Sequence, residues 1–124
     1  MPAAFAAVVL STPSPIELAA FYRELLGWQT VDEDPTWVRL RDPESERPGL
    51  SFQLEPGDTP PAWPAREGGV QMQAHLDILV DDLEKETARA VGLGATAEQH
   101  QPQQGVRVMR DPHGHVFCLF IEGA

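Results

Sequence analysis

Apolar positions along this chain alternate between a strand period of two and a helix period of 3.6, and they do so twice. The run AFAAVVL, residues 4–10, suits a short strand. Leu18, Phe21, Tyr22 and Leu25 then fall at i, i+3, i+4 and i+7, one stripe of an amphipathic helix. Ser14, Pro15 and Glu17 mark its start as a capping box with proline at the first helical position. Gly27 stands where a helix stop tolerates positive φ. WQTVD, TWVRL and GLSFQLE follow as strand candidates, separated by the turn-rich EDP and RDPESERPG.

The second half repeats this order. His75 to Val80 reads as a strand, and Asp81-Asp82-Leu83-Glu84 reads as a second capping box with Asp81 at the cap. A helix is expected from there to Leu93, stopped by Gly94, with Leu83, Thr87, Ala90 and Val91 as a thin apolar stripe. TAEQ, GVRVMR and HVFCLF are the remaining strands. Asp81, Glu84 and Gly94 stand at one common offset from Ser14, Glu17 and Gly27, so the chain reads as an internal βαβββ repeat. Residues 1–55 are the first module and 72–124 the second, within one domain spanning 1–124. The Pro- and Gly-rich stretch 56–71 is a linker crossing the surface. The fold class expected is α+β.

Strand parity sorts the side chains between two faces. Val8 and Leu10, Val38 and Leu40, and Leu50, Phe52 and Leu54 should lie beneath the first helix. In the second module that role is assigned to Leu76 and Ile78, Val106 and Val108, and Phe117, Leu119 and Ile121. The opposite parity carries Ala7, Trp37, Arg39, Ser51, Gln53, Glu55, His75, Asp77, Arg107, Met109, Cys118 and Phe120. A mixed polar and aromatic set on the free face of a sheet suits the lining of a concave pocket.

Composition narrows the partners. With 124 residues the chain fits one small core. Nineteen acidic residues against nine Lys and Arg give a formal charge of −10, which repels phosphate backbones, and no basic stripe offers a nucleic-acid footprint. No apolar run approaches the roughly 20 residues that cross a bilayer. MPAAFAAVVL lacks a basic n-region, so it reads as a strand rather than a signal peptide. A single cysteine is consistent with a reducing cytoplasm.

Individual residues admit more than one role. Asp77 shares the parity of His75 and is placed to orient it or to pair with Arg39 or Arg107. Cys118, between Phe117 and Leu119, is either a nucleophile with His75 as its base or a small apolar lining residue; nothing nearby lowers its pKa. Trp37, Trp63 and Phe120 suit stacking on a flat or cationic ligand, although Trp63 lies in the linker. Asp111-Pro112-His113-Gly114 has the chemistry of a type I turn, which sets His113 and His115 apart from the pocket.

SPIELAAFYRELLGW, AHLDILVDDLEKETARAVGLGA and DPHGHVFCLF together resemble the vicinal oxygen chelate superfamily, the glyoxalase / bleomycin-resistance / dioxygenase group. The resemblance implies paired βαβββ modules whose curled sheets form a cup, often completed by a homodimer. It implies either metal-dependent lyases, isomerases and dioxygenases or metal-free proteins that sequester antibiotics. Carried onto this chain, the metal-ligand positions resemble Ala7, Gln53, His75 and Cys118. Alanine cannot ligate, Gln53 offers a neutral carbonyl, and a thiol stands where a carboxylate is expected. The expectation is therefore a small-molecule-binding protein without a catalytic metal or other cofactor, taking a hydrophobic, aromatic or cationic metabolite or antibiotic. The alternative is a glyoxalase-like lyase or isomerase, or a dioxygenase, using a divalent metal or His75 as acid/base.

Overall fold

Ser14 holds the start of the first helix as the sequence predicts. In the computed structural model, which describes residues 2–124, Ser14 is extended and its hydroxyl accepts from the Glu17 N–H. Helix α1 (Pro15–Leu26) runs from that cap to Gly27, whose φ of 70° lets its N–H reach the Arg23 carbonyl at 2.9 Å.

The chain divides into two compact units, one ending at Asp58 and the other Thr59–Ala124. In the first, strands β1 (Ala7–Thr12), β2 (Gln29–Asp34), β3 (Trp37–Arg41) and β4 (Gly49–Leu54) accompany α1. The sheet order is β1-β4-β3-β2, with β1 parallel to β4 and the other pairs antiparallel. Leu18, Phe21, Tyr22 and Leu25 are all buried, as their spacing predicts, against Val38, Leu40, Leu50 and Phe52. Tyr22 stacks on Phe52 with ring centroids 5.8 Å apart, and Phe21 meets Tyr22 edge-on at 4.9 Å. One face of this sheet is thus committed to α1.

The second unit repeats the topology with β5 (Leu76–Leu79), α2 (Leu83–Gly92), β6 (Thr96–Ala97), β7 (Val106–Arg110) and β8 (Val116–Phe120). Its sheet runs β5-β8-β7-β6, again with first and last strands parallel. The α+β class and the βαβββ repeat are borne out as two four-stranded mixed sheets, each with one helix, and neither sheet closes into a barrel.

Two details of the second unit differ from the expectation. The helix cap is Asp82, not Asp81: the Asp82 carboxylate accepts from the Lys85 N–H at 3.1 Å. Leu83 is then the first helical residue, and it is buried. Helix α2 also packs more thinly than α1. Leu83 and Ala90 are buried, while Val91 is exposed and so leaves the predicted stripe.

The Asp111 turn is built as predicted, around a buried carboxylate. That carboxylate accepts from the His113 and His115 N–H groups at 2.9 and 3.0 Å. Gly114, at φ 95°, closes the turn.

The cap assignment is testable. Asp82→Ala is expected to cost about 1 kcal/mol of unfolding free energy in urea. Asp81→Ala should stay within about 0.5 kcal/mol of the parent. The reverse ranking would place the cap at Asp81.

Candidate functional site

The open face of the second sheet collects the residues with chemistry. Parallel pairing of β5 with β8 sets Asp77 beside Cys118, and antiparallel pairing of β7 with β8 sets Val108 opposite Cys118 and Val106 opposite Phe120. These side chains share one face because directly paired residues do. They line a cavity of about 490 Å³ together with Trp63, His75, Pro102, Gln103 and Ala124.

This register overturns part of the predicted pocket. Arg107 and Met109 are not on the cavity face. Arg107 lies opposite Leu119 and reaches back to the α2 side, where its guanidinium meets the Glu84 carboxylate at 2.7 Å. Met109 lies opposite Phe117 and is fully buried. Val106 and Val108, expected under the helix, take the cavity face instead. Alternation in GVRVMR fixes which residues share a face, but not which face that is.

Trp63 and its neighbours cover part of this face. The indole packs against buried Val108, Val116 and Cys118, alongside Met72 and Val106. Its N–H donates to the His100 carbonyl at 3.1 Å, and its ring lies 5.9 Å from the His100 ring. The Ala62 N–H donates to the Val70 carbonyl at 2.8 Å and draws the segment around Trp63 into a loop. Beyond β6, the Gln101 side chain stands in for a missing strand residue. Its amide both donates to the Val108 carbonyl and accepts from the Val108 N–H, each at 2.8 Å.

The polar corner of the cavity has three members. His75 Nε2 lies 3.0 Å from Asp77 Oδ1, so the expectation that Asp77 could orient His75 has its geometry. One donor atom from each of His75, Asp77 and Cys118 lies within 4.8 Å of the others. His75 and Asp77 are exposed and Cys118 is buried. Burial, and then the Asp77 carboxylate, push the Cys118 thiol above its ordinary range. That keeps the sulfur protonated at neutral pH and removes the thiolate that a nucleophilic role requires.

In the first unit, Ala7, Trp37, Arg39 and Ser51 share the face predicted for them and line a separate cavity of about 320 Å³ with Ala6, Val9, Leu40, Arg41 and Gly49. The Arg39 guanidinium is engaged by Asp32, its Nε 2.6 Å from the carboxylate, a pairing across β2 and β3 that the sequence reading did not anticipate. Gln53 is opposite Trp37 and exposed. Glu55 lies just past β4, exposed, with its N–H on the Thr12 carbonyl.

The donor chemistry at these positions limits which divalent metal they could hold. The four positions suggested by the resemblance do not make a set. Ala7 has no donor atom, Gln53 offers one neutral oxygen, and His75 and Cys118 supply one nitrogen and one sulfur within 4.8 Å of one another. A hard cation needing six or more oxygens does not fit them.

The family profile described as a glyoxalase-like domain matches residues 7–120. Among solved structures, the chain is similar to a glyoxalase/bleomycin resistance protein/dioxygenase family enzyme from Burkholderia phytofirmans. The identity is 18%, with 96% of this chain and 98% of that one covered and a TM-score of 0.74. It is also similar to lactoylglutathione lyase from Agrobacterium tumefaciens, at 20% identity, 98% and 95% coverage and a TM-score of 0.63. The fosfomycin resistance protein FosX from Mesorhizobium loti gives 12% identity, 98% and 93% coverage and a TM-score of 0.66. At these identities the solved structures speak to the fold. A search of curated proteins finds no match. The profile spans nearly the whole chain, taking in both βαβββ units and the strands that carry Asp77 and Cys118, and the chain belongs to the glyoxalase-like family.

Proposed function

We propose that this chain binds a small hydrophobic, aromatic or cationic molecule on the open face of the second sheet, and acts by holding it rather than by metal-dependent chemistry. The observation that carries this reading is the cavity's division of labour. Trp63, Val106, Val108 and Phe120 offer an apolar wall, and three polar groups, those of His75, Asp77 and Cys118, converge at one corner. The wall would bury the body of a ligand, and the corner would fix its orientation. A cation suits the Asp77 carboxylate and the chain's net charge of −10. The proposal takes residues 1–124 as one domain acting as a cytoplasmic homodimer. The family profile across both units and the single cysteine are compatible with that.

A second reading is favoured by one contact. The Asp77 carboxylate 3.0 Å from His75 Nε2 would hold the imidazole for proton transfer in a lyase- or isomerase-like reaction. The names of the similar solved structures, a resistance protein and a lyase, lend support to each side.

Titration calorimetry against a panel of aromatic and cationic metabolites and antibiotics tests the binding reading. Saturable binding is expected, weakened about tenfold by Trp63→Ala through loss of one aromatic contact. Trp37→Ala should leave it unchanged. The opposite ranking would move the ligand to the first sheet, and an absence of saturable binding across the panel would refute the reading.

Thiol alkylation distinguishes a lining cysteine from a nucleophile. Cys118 is expected to react slowly at neutral pH, with its rate rising only above the ordinary thiol range. Asp77→Asn should lower the midpoint of that rise, because it removes a negative charge that opposes the thiolate. Fast alkylation at pH 7 would restore the nucleophilic role.

A further inference from the structure

We propose that Gln101 is a positioning residue that sets how broad a molecule the cavity of the second unit admits. It holds the segment carrying Pro102 and Gln103 and, through the His100 carbonyl, it seats Trp63. The seating of Trp63 stands on contacts within this unit, and the size limit rests on the binding reading above.

The need for such a residue begins at the short edge strand. β6 has two residues, and its pairing with β7 ends at Ala97 opposite Met109. The Glu98 N–H still reaches the Val108 carbonyl at 3.0 Å, but the chain bends at Gln99 and no strand continues beside Val108. Val108 is buried, and a buried N–H without a partner is costly. Gln101 supplies the partner. Its Oε1 accepts from the Val108 N–H at 2.8 Å. Its Nε2 donates to the Val108 carbonyl at 2.8 Å and to the Glu98 carbonyl at 2.7 Å. One half-buried side chain thus ties its own segment to β7.

The residues on either side of Gln101 are carried with it. His100 precedes it, and the His100 carbonyl accepts the Trp63 indole N–H at 3.1 Å. Pro102 and Gln103 follow it, and both line the cavity with Trp63. Proline fixes its own φ and restricts the residue before it, so a displacement of Gln101 passes directly to the lining. The Pro-rich segment has a second anchor at Pro60, which packs so closely on Gly114 that a β-carbon there would stand 2.5 Å from the proline ring. That packing holds the segment three residues before Trp63 and leaves the direction of the indole to the His100 carbonyl. Three of the residues lining the cavity therefore take their places from one amide side chain.

Acrylamide quenching of Trp63 fluorescence, in a Trp28→Phe, Trp37→Phe background, tests the seating. Gln101→Ala and Gln101→Met, the second keeping side-chain length without the hydrogen bonds, should each raise the quenching constant about twofold as the covering segment opens. Gln101→Glu keeps an acceptor for the buried Val108 N–H, so it should fall between these and the parent, and it keeps the test open if the other two fold poorly. Far-UV circular dichroism checks the fold of each. Asp82→Ala lowers stability at the α2 cap and should leave the quenching unchanged. The size limit is read by calorimetry with benzylammonium, naphthylmethylammonium and anthracenylmethylammonium. In the Gln101 variants the Kd for the anthracenyl probe, relative to benzylammonium, should fall about tenfold. Quenching that stays at the parent's value in every folded Gln101 variant, or that Asp82→Ala raises equally, would overturn the proposal. So would probes that bind all variants in the parent's order of affinity. If none of the three binds the parent, the binding reading fails, and the quenching still decides whether Gln101 seats Trp63.

Discussion

Parallel pairing between the first and last strands of each unit is the constraint on which the rest of the structure depends. In the second unit it sets Asp77 beside Cys118, residues far apart in the chain. A one-residue slip would turn Leu76 and Ile78 onto the open face and Asp77 beneath the helix, where an unpaired carboxylate is costly. The polar corner is therefore a by-product of the same pairing that builds the sheet. Placing the site on strands rather than on loops gives two of its members a rigid seat.

The two units meet their need for a core differently. In the first, four large side chains of α1 fill one face of the sheet, and the other face is left comparatively open. In the second, α2 contributes Leu83 and Ala90, and the sheet buries Val108, Val116 and Cys118 on the face away from the helix. Trp63, from the Pro-rich segment, and Met72, just past it, supply the missing layer there. The wall of the cavity is thus also part of what holds the unit together. Substitutions at Trp63 therefore touch the stability of the unit as well as the cavity wall, which is why Trp37, on the other unit, is the useful control.

Much of this was legible in the sequence, and the failures share one physical cause. The capped first helix, the repeat, the Asp111 turn and the grouping of His75, Asp77, Cys118 and Phe120 all follow from period and punctuation. Those signals are local, and a helix cap or a turn is decided by a few neighbouring residues. The phase of β7 is not local. Val106 and Val108 look like core because they are apolar, and they are indeed half-buried or buried, but beneath Trp63 rather than beneath α2. When both faces of a sheet bury apolar side chains, alternation loses the contrast that tells one face from the other. Trp63 was a stacking candidate from the sequence, but what holds it on this face was not legible there, for a related reason. A proline-rich stretch reads as a surface crossing, and nothing near it in sequence announces that its one aromatic ring is held at the His100 carbonyl.

The corrected phase of β7 changes what the cavity can select. With Arg107 on the pocket face, an anionic ligand would have had a guanidinium partner. Instead Arg107 is engaged by Glu84, and Arg110 by Glu98 and the Gly114 carbonyl. Among the described lining residues the only formally charged side chain is the Asp77 carboxylate, with His75 beside it. A phosphate or carboxylate entering that space would lose hydration against an apolar wall and meet the like charge of Asp77, with no cationic Lys or Arg among the described lining residues to offset it. Neutral and cationic molecules avoid that cost. The charge lining this cavity is therefore that of Asp77, seated there by the pairing of β5 with β8.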